Sequence, residues 1–192
     1  MSHASDYLSE VADIAAQLEA GSINAMVKEL AWVRERCGRL YVMGLGGSSA
    51  NASHACNDFR KLCALEAYCP TDNVAEFTAK ANDEGWTTVF TSMFWKRGDA
   101  LMVLSVGGGT LNTSFPLCIA IDGAKARDMR VLGIVGRDGG YTKKKGDCVI
   151  VIPTVNEKHV TPHTEAFQGV VWHLLVSHPL LKVAATKWES TP

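Results

Sequence analysis

The sequence has no C-x-x-C pair, no G-x-G-x-x-G run, no Walker-type lysine behind its first glycine-rich loop and no excess of charge of either sign. Each absence removes a class of function. Its six cysteines (Cys37, Cys56, Cys63, Cys69, Cys118 and Cys148) are scattered, several of them in apolar segments where a thiol serves as a small hydrophobe. They are expected to be reduced and structural. The glycine spacing argues against a dinucleotide or nucleoside triphosphate site. A formal net charge of −1 gives neither nucleic acid nor an anionic membrane a surface to bind, so affinity for an anion has to be local. No apolar run approaches the roughly 18 residues of a membrane span. Met1 to Asp6 shows no basic stretch leading into one. The expected compartment is the cytoplasm.

What is present is a repeated strand–loop–helix pattern. A 192-residue chain that is 47% hydrophobic is expected to fold as one domain, residues 1–192, with a sizeable core. From residue 39 onward, apolar runs alternate with helical patterns. Strands are expected at 39–43, 66–69, 101–105, 130–135 and 148–152, and helices at 51–63, 83–95, 111–127 and 162–177. The strands are continuous apolar runs, as strands covered on both faces are. The expected fold class is therefore α/β, a three-layer, doubly wound parallel sheet. Ahead of it, residues 1–36 read as an amphipathic helical pair broken at Gly21-Ser22. Such a pair has more apolar surface than one sheet buries, so packing against another subunit is expected. Arg137-Asp138-Gly139-Gly140 reads as a turn, and Tyr141 to Lys145 as a solvated basic loop.

Two strands run into Gly/Ser-rich turns, Gly44-Leu45-Gly46-Gly47-Ser48-Ser49 and Ser105-Val106-Gly107-Gly108-Gly109-Thr110. Backbone N–H groups and a following helix dipole make each a candidate anion cradle, and Ser48, Ser49, Ser105 and Thr110 add hydroxyl donors. The plainer reading is a pair of tight turns; two at comparable sheet positions favour a bound phosphorylated small molecule. His54 and Asp58 stand one turn apart on the helix after the first loop. Glu165 and His173 lie on the last helix, which Pro162 is expected to start. Two nitrogens and two carboxylates suit Zn²⁺ or another divalent ion; an acid–base pair without metal, or buried histidines paired with carboxylates, remain alternatives. Residues eight apart on a helix are separated by about 12 Å and about 80°. Glu165 and His173 therefore meet one ion only from opposite ends, from an irregular helix or from different subunits. Asn82-Asp83 precedes a pattern of Trp86, Val89, Phe90 and Phe94, which makes Asp83 a helix cap or an acceptor for a sugar hydroxyl. Asn51 reads the same way. Trp32 and Trp172 read as packing groups, and His159, His163 and His178 have no assigned role, although His163 is the nearest of them to the site.

With these residues in place the sequence resembles the sugar isomerase (SIS) domain proteins of the phosphoheptose isomerase type. The resemblance rests on Gly44-Leu45-Gly46-Gly47-Ser48, on His54 six residues later, on Ala81-Asn82-Asp83, Gly98-Asp99 and Leu104-Ser105 with its loop, and on His173. It implies a homotetramer with active sites at subunit interfaces, often holding Zn²⁺, that converts sedoheptulose 7-phosphate to a D-glycero-D-manno-heptose 7-phosphate. It implies substrate contacts from Gly46, Gly47 and Ser48, sugar-hydroxyl contacts from Asn82 and Asp83, and phosphate contacts from Ser105, Gly107 and Thr110. His54, Asp58, Glu165 and His173 fall on the metal positions, and Asp58, Glu165 and His173 on the acid–base positions. The chain departs from that pattern in several places. The family has asparagine at the place of Leu45, glutamate at Asp58, glutamine at Glu165, and serine at Gly107 and Thr110. The expected reaction is aldose–ketose isomerisation through an enediol, with Asp58 or Glu165 as base and His173 as acid. Two other readings, a non-catalytic SIS-domain protein that binds a replication initiator and a phosphosugar-sensing module, belong to different functional classes.

Overall fold

The structure, a computed structural model, describes residues 2–91, 95–187 and 189. Five strands form one all-parallel sheet in the order β2-β1-β3-β4-β5. They are β1 (Arg39–Met43), β2 (Glu66–Tyr68), β3 (Ala100–Ser105), β4 (Arg130–Val135) and β5 (Cys148–Val151). The helices are α1 (His3–Gln17), α2 (Ala20–Glu35), α3 (Gly47–Cys63), α4 (Val74–Asp83), α5 (Phe115–Lys125), α6 (Gly140–Lys145) and α7 (Val160–Ser177). The expected three-layer, doubly wound architecture is the one observed. Alternate residues of each central strand serve opposite layers. Leu40, Val42, Met102 and Leu104 pack with α2, α3 and α7, while Tyr41, Met43, Leu101 and Val103 pack with α5. All six residues of β3 are buried, which explains why its sequence shows no polar alternation. At the lower edge, buried Asp99 accepts from the Arg39 backbone N–H at 3.0 Å and pairs with its guanidinium at 2.6 Å, tying β1 to β3. No helix among the described residues is long and apolar enough to cross a membrane.

Several boundaries differ from expectation, each for a local reason. The first two helices part at Leu18, whose extended backbone ends α1. Gly21 and Ser22 lie inside the first turn of α2, and the Ser22 hydroxyl reaches back to Glu19. Helix α3 starts at Gly47, four residues before Asn51, because Gly46 turns the chain with φ 61° and ψ −131°, a conformation open to glycine. Among the described residues the expected helix at 83–95 does not form. Asn73 caps an earlier helix by accepting from the Glu76 N–H, and Asp83 is that helix's last residue, not a cap. Gly85, at φ 94°, then prevents continuation, and only a short 3₁₀ turn forms over Trp86–Thr88; Phe94 lies outside the described residues. Helix α5 begins at Phe115, since the Thr110 hydroxyl folds residues 110–113 into a turn by accepting from the Asn112 and Thr113 N–H groups. Residues 141–145 belong to α6 and are not a loop. Pro162 is the third residue of α7, where its missing N–H costs no helical bond.

Candidate active site

The sheet reverses direction of winding between β1 and β3, and the loops after these two strands open a crevice at their carboxyl ends. A cavity of about 790 Å³ lies there, lined by Leu45 and Ser48 from the first loop, Ser105, Gly107, Gly109 and Thr110 from the second, and Arg137, Asp138, Thr154 and Glu157 from the loops after β4 and β5. Ser48, Ser105, Gly107 and Thr110 are thus brought together as expected. Gly46 and Gly47 sit in the chain between two lining residues. Asn82 and Asp83 are not among the lining residues; Asn82 Nδ2 donates to Asp83 at 2.7 Å on the exposed end of α4.

The hydroxyls in the cavity already have work within the fold. Ser105 Oγ accepts from the Gly108 N–H at 3.1 Å, which folds the second loop back on its strand. Ser48 Oγ accepts from Gln168 Nε2 at 3.1 Å, and both side chains are buried. Gln168 Oε1 and the Glu165 carbonyl both accept from Asn51 Nδ2 at 2.9 Å. Asn51 is therefore a bridge between α3 and α7; it is not a helix cap and does not line the cavity. Ser49 is not in the cavity lining and shares a hydrogen bond with Thr71 at 2.7 Å. The cation in the cavity is Arg137, which the sequence reading treated as part of a turn. Its stem passes over Gly107, with Cδ 3.9 Å from where a β-carbon would stand. Its position directly beyond the end of β4 was the available signal.

A second group of residues lies farther along α3 and α7. His54 Nε2 is 3.5 Å from Asp58 Oδ2, and His173 Nε2 is 3.6 Å from the same oxygen. The three ligand atoms all fall within 4.8 Å of one another. These separations are long for hydrogen bonds. They are close to the roughly 3.3 Å between ligand atoms that metal bonds of about 2.0–2.1 Å at a tetrahedral angle require. The supporting contacts also match what a metal site needs. His173 Nδ1 donates to the Gly169 carbonyl at 2.7 Å, which leaves the Nε2 lone pair directed at Asp58. Trp172 Nε1 donates to Asp58 Oδ2 at 3.3 Å, and Asn57 Nδ2 to Oδ1 at 3.2 Å. Trp172 is a packing group, as expected, and also an orienting donor.

Glu165 stands apart from this trio. Its carboxylate lies over Gly47, where a β-carbon would come within 2.5 Å of Oε2. Gly47 is the first residue of α3, so the carboxylate sits where the positive end of the helix dipole favours negative charge. Within one chain, then, the expected four-residue ligand set divides into His54, Asp58 and His173 on one side and Glu165 on the other. The eight-residue interval on α7 accounts for the division. Neither group lines the cavity of its own chain.

Comparison with known proteins places this arrangement. Residues 6–136 match the SIS domain. The phosphoheptose isomerase of Chlorobium phaeobacteroides is 31% identical over 171 residues, which span 81% of this chain and 74% of that protein. Among solved structures, the phosphoheptose isomerase GmhA of Neisseria gonorrhoeae superposes with a TM-score of 0.80 at 22% identity, covering 90% of this chain and 95% of the other. A phosphoheptose isomerase from Francisella tularensis gives a TM-score of 0.80 at 21% identity, with 92% and 97% covered. A parallel sheet with paired glycine loops at its winding reversal, a His–Asp–His group on α3 and α7, and this degree of sequence identity lead to one assignment: the chain belongs to the SIS-domain family of phosphoheptose isomerases.

Proposed function

We propose that this protein isomerises a phosphosugar between its ketose and aldose forms, converting sedoheptulose 7-phosphate to D-glycero-D-manno-heptose 7-phosphate through an enediol. The observation that carries the reading is the Asp58 carboxylate held between the imidazoles of His54 and His173, with the tautomer of His173 set by the Gly169 carbonyl. Isomerisation needs a base at the carbon beside the carbonyl and an acid at the oxygen. Asp58 supplies the base, and His173 supplies the acid when it carries a proton on Nε2 as well as the one Nδ1 gives to the Gly169 carbonyl. The phosphate belongs in the cavity of Ser105, Gly107 and Thr110, where Arg137 supplies positive charge. Binding that remote group holds the sugar in the site and supplies affinity to ground and transition states alike.

Zn²⁺, or another divalent ion, would be held by His54 Nε2, Asp58 Oδ2 and His173 Nε2, and when bound it polarises the sugar's carbonyl and hydroxyl oxygens. A carboxylate bound to a cation is a weaker base, and Glu165, outside the trio, is then the free carboxylate. Assembly as a homotetramer with sites at subunit interfaces is part of the same proposal. It is supported by the division of the site within one chain and by the His54 and His173 side chains, 57% and 56% exposed. Six free cysteines, most of them buried, accord with a reducing compartment such as the cytoplasm.

The test is turnover of sedoheptulose 7-phosphate by the purified protein, with and without chelator, alongside its mass in solution. Turnover at wild-type rates by Asp58→Ala or His173→Ala would remove the assigned roles. Activity that survives complete metal removal would remove the divalent ion. No turnover by fully loaded tetramer would leave a binding protein.

A further inference from the structure

Away from the cavity, Glu10 of α1 meets two histidines at the start of α7. Glu10 Oε2 lies 2.7 Å from His159 Nδ1 and 2.7 Å from His163 Nε2, and Glu10 Oε1 accepts from Asn156 Nδ2 at 2.6 Å. The histidines are four residues apart, so the first turn of α7 stacks them on one face. His163 and Glu165 point about 200° apart around the helix, and His163 lies about 15 Å along the axis from His173. The cluster is therefore distinct from both parts of the site already described.

Two imidazoles and a carboxylate are a zinc-type donor set, and here the three ligand atoms lie within 4.8 Å of one another. His163 is 3% exposed, and its Nδ1 has no hydrogen-bond partner among the described residues. The Tyr7 ring covers His163 at 4.4 Å between centroids and screens it from water. We propose that Glu10, His159 and His163 form a second divalent-metal site, which staples α1 to the start of α7. Each imidazole now donates a proton to the same carboxylate oxygen, and the ion replaces those two protons at the centre. Each neutral ring keeps its proton by carrying it on its other nitrogen. For His163 that nitrogen is the unpartnered Nδ1, so the proton's move breaks no bond there, and the two hydrogen bonds to Glu10 are exchanged for bonds to the ion. Tetrahedral coordination widens the 2.7 Å spacings to about 3.3 Å, a shift within reach of the Glu10 torsions. A water, or His3, whose ring centroid is 5.7 Å from that of His159, completes the set.

The experiment uses Co²⁺ as the probe, on full-length chelator-stripped protein. The double variant His54→Ala/His173→Ala lacks the Asp58 trio. It is expected to retain one equivalent of Co²⁺ per chain, with a tetrahedral cobalt spectrum and a raised Tm. Adding Glu10→Gln should abolish the retained equivalent and the Tm rise. His159→Ala, at the more exposed of the two histidines, should weaken both and serves as a second variant should Glu10→Gln fail to fold. Failure of the double variant to bind Co²⁺ would overturn the proposal. Binding unchanged by both Glu10→Gln and His159→Ala would do the same, leaving a hydrogen-bonded clamp. Neither result bears on the isomerase reading, because the trio is absent from every protein compared.

Discussion

The Glu165 carboxylate rests directly on the Gly47 backbone, with no room for a β-carbon between them. The smallest substitution at residue 47 therefore acts on residue 165. In Gly47→Ala the methyl group would stand 2.5 Å from Oε2, so the carboxylate must swing away from the start of α3. Alanine suits a helix first turn, so the fold should persist. Displacement of a positioned group by an ångström costs about a hundredfold in rate. A loss of that size in kcat with little change in Tm is expected, read by steady-state kinetics beside thermal melting. Wild-type kcat in a folded Gly47→Ala protein would show that Glu165 takes no part in the reaction.

Trp172 fills the α3–α7 interface and donates to Asp58. Trp172→Phe keeps most of the packing and removes the N–H. Loss of an orienting donor next to a metal ligand lowers affinity about 10–100-fold. Competition titration with a chelating dye should show that weakening at the trio, while far-UV circular dichroism stays unchanged.

Arg137 is the cation that lines the cavity, and His54, Asp58 and His173 do not line it. Its loss should act on binding of the phosphate in ground and transition states alike. A hydrogen bond to a charged group contributes about 1.5–3 kcal/mol. Arg137→Ala should accordingly raise KM by about 10–100-fold with kcat nearly constant. A drop in kcat with unchanged KM would place the phosphate elsewhere.

The Glu10 carboxyl is held down from 4.5 to about 2 by hydrogen bonds from His163, Asn156 and His159, in that order. A group whose folded value is depressed adds stability above its unfolded value and loses it as pH falls through the folded one. In chelator, wild type should therefore exceed Glu10→Gln in urea midpoint by a constant margin above about pH 5. The margin should shrink between 4.5 and about 2. A margin that instead grew on acidification would contradict the hydrogen bonding described.

The sheet was legible because its central strands are buried on both faces and so carry unbroken apolar runs. Leu101 to Ser105 is as plain in sequence as in space. The segment after β2 was not legible. Asp83 looks like a cap and Trp86, Val89 and Phe90 look helical, yet Asn73 nucleates the helix a full ten residues earlier and Gly85 blocks a second one. The His54–Asp58 pair was readable from spacing on one helix, as was the separation of Glu165 from His173. Arg137 was hidden because a turn residue acquires meaning only when β4 is known to end at the cavity. The contact of Glu10 with His159 and His163 spans about 150 positions, and no local pattern announces it.

The cysteines offer a practical handle. Burial pushes the thiols of Cys56, Cys63, Cys69, Cys118 and Cys148 above their ordinary range, which slows their attack on electrophiles. Cys37 alone is exposed, in the turn that leads from α2 into β1 at the end of the sheet opposite the cavity. A brief maleimide treatment would thus mark each chain once, at a spot remote from substrate. A dye placed there gives one reporter per chain, from which energy transfer between labelled copies would test the proposed tetramer without disturbing the cavity.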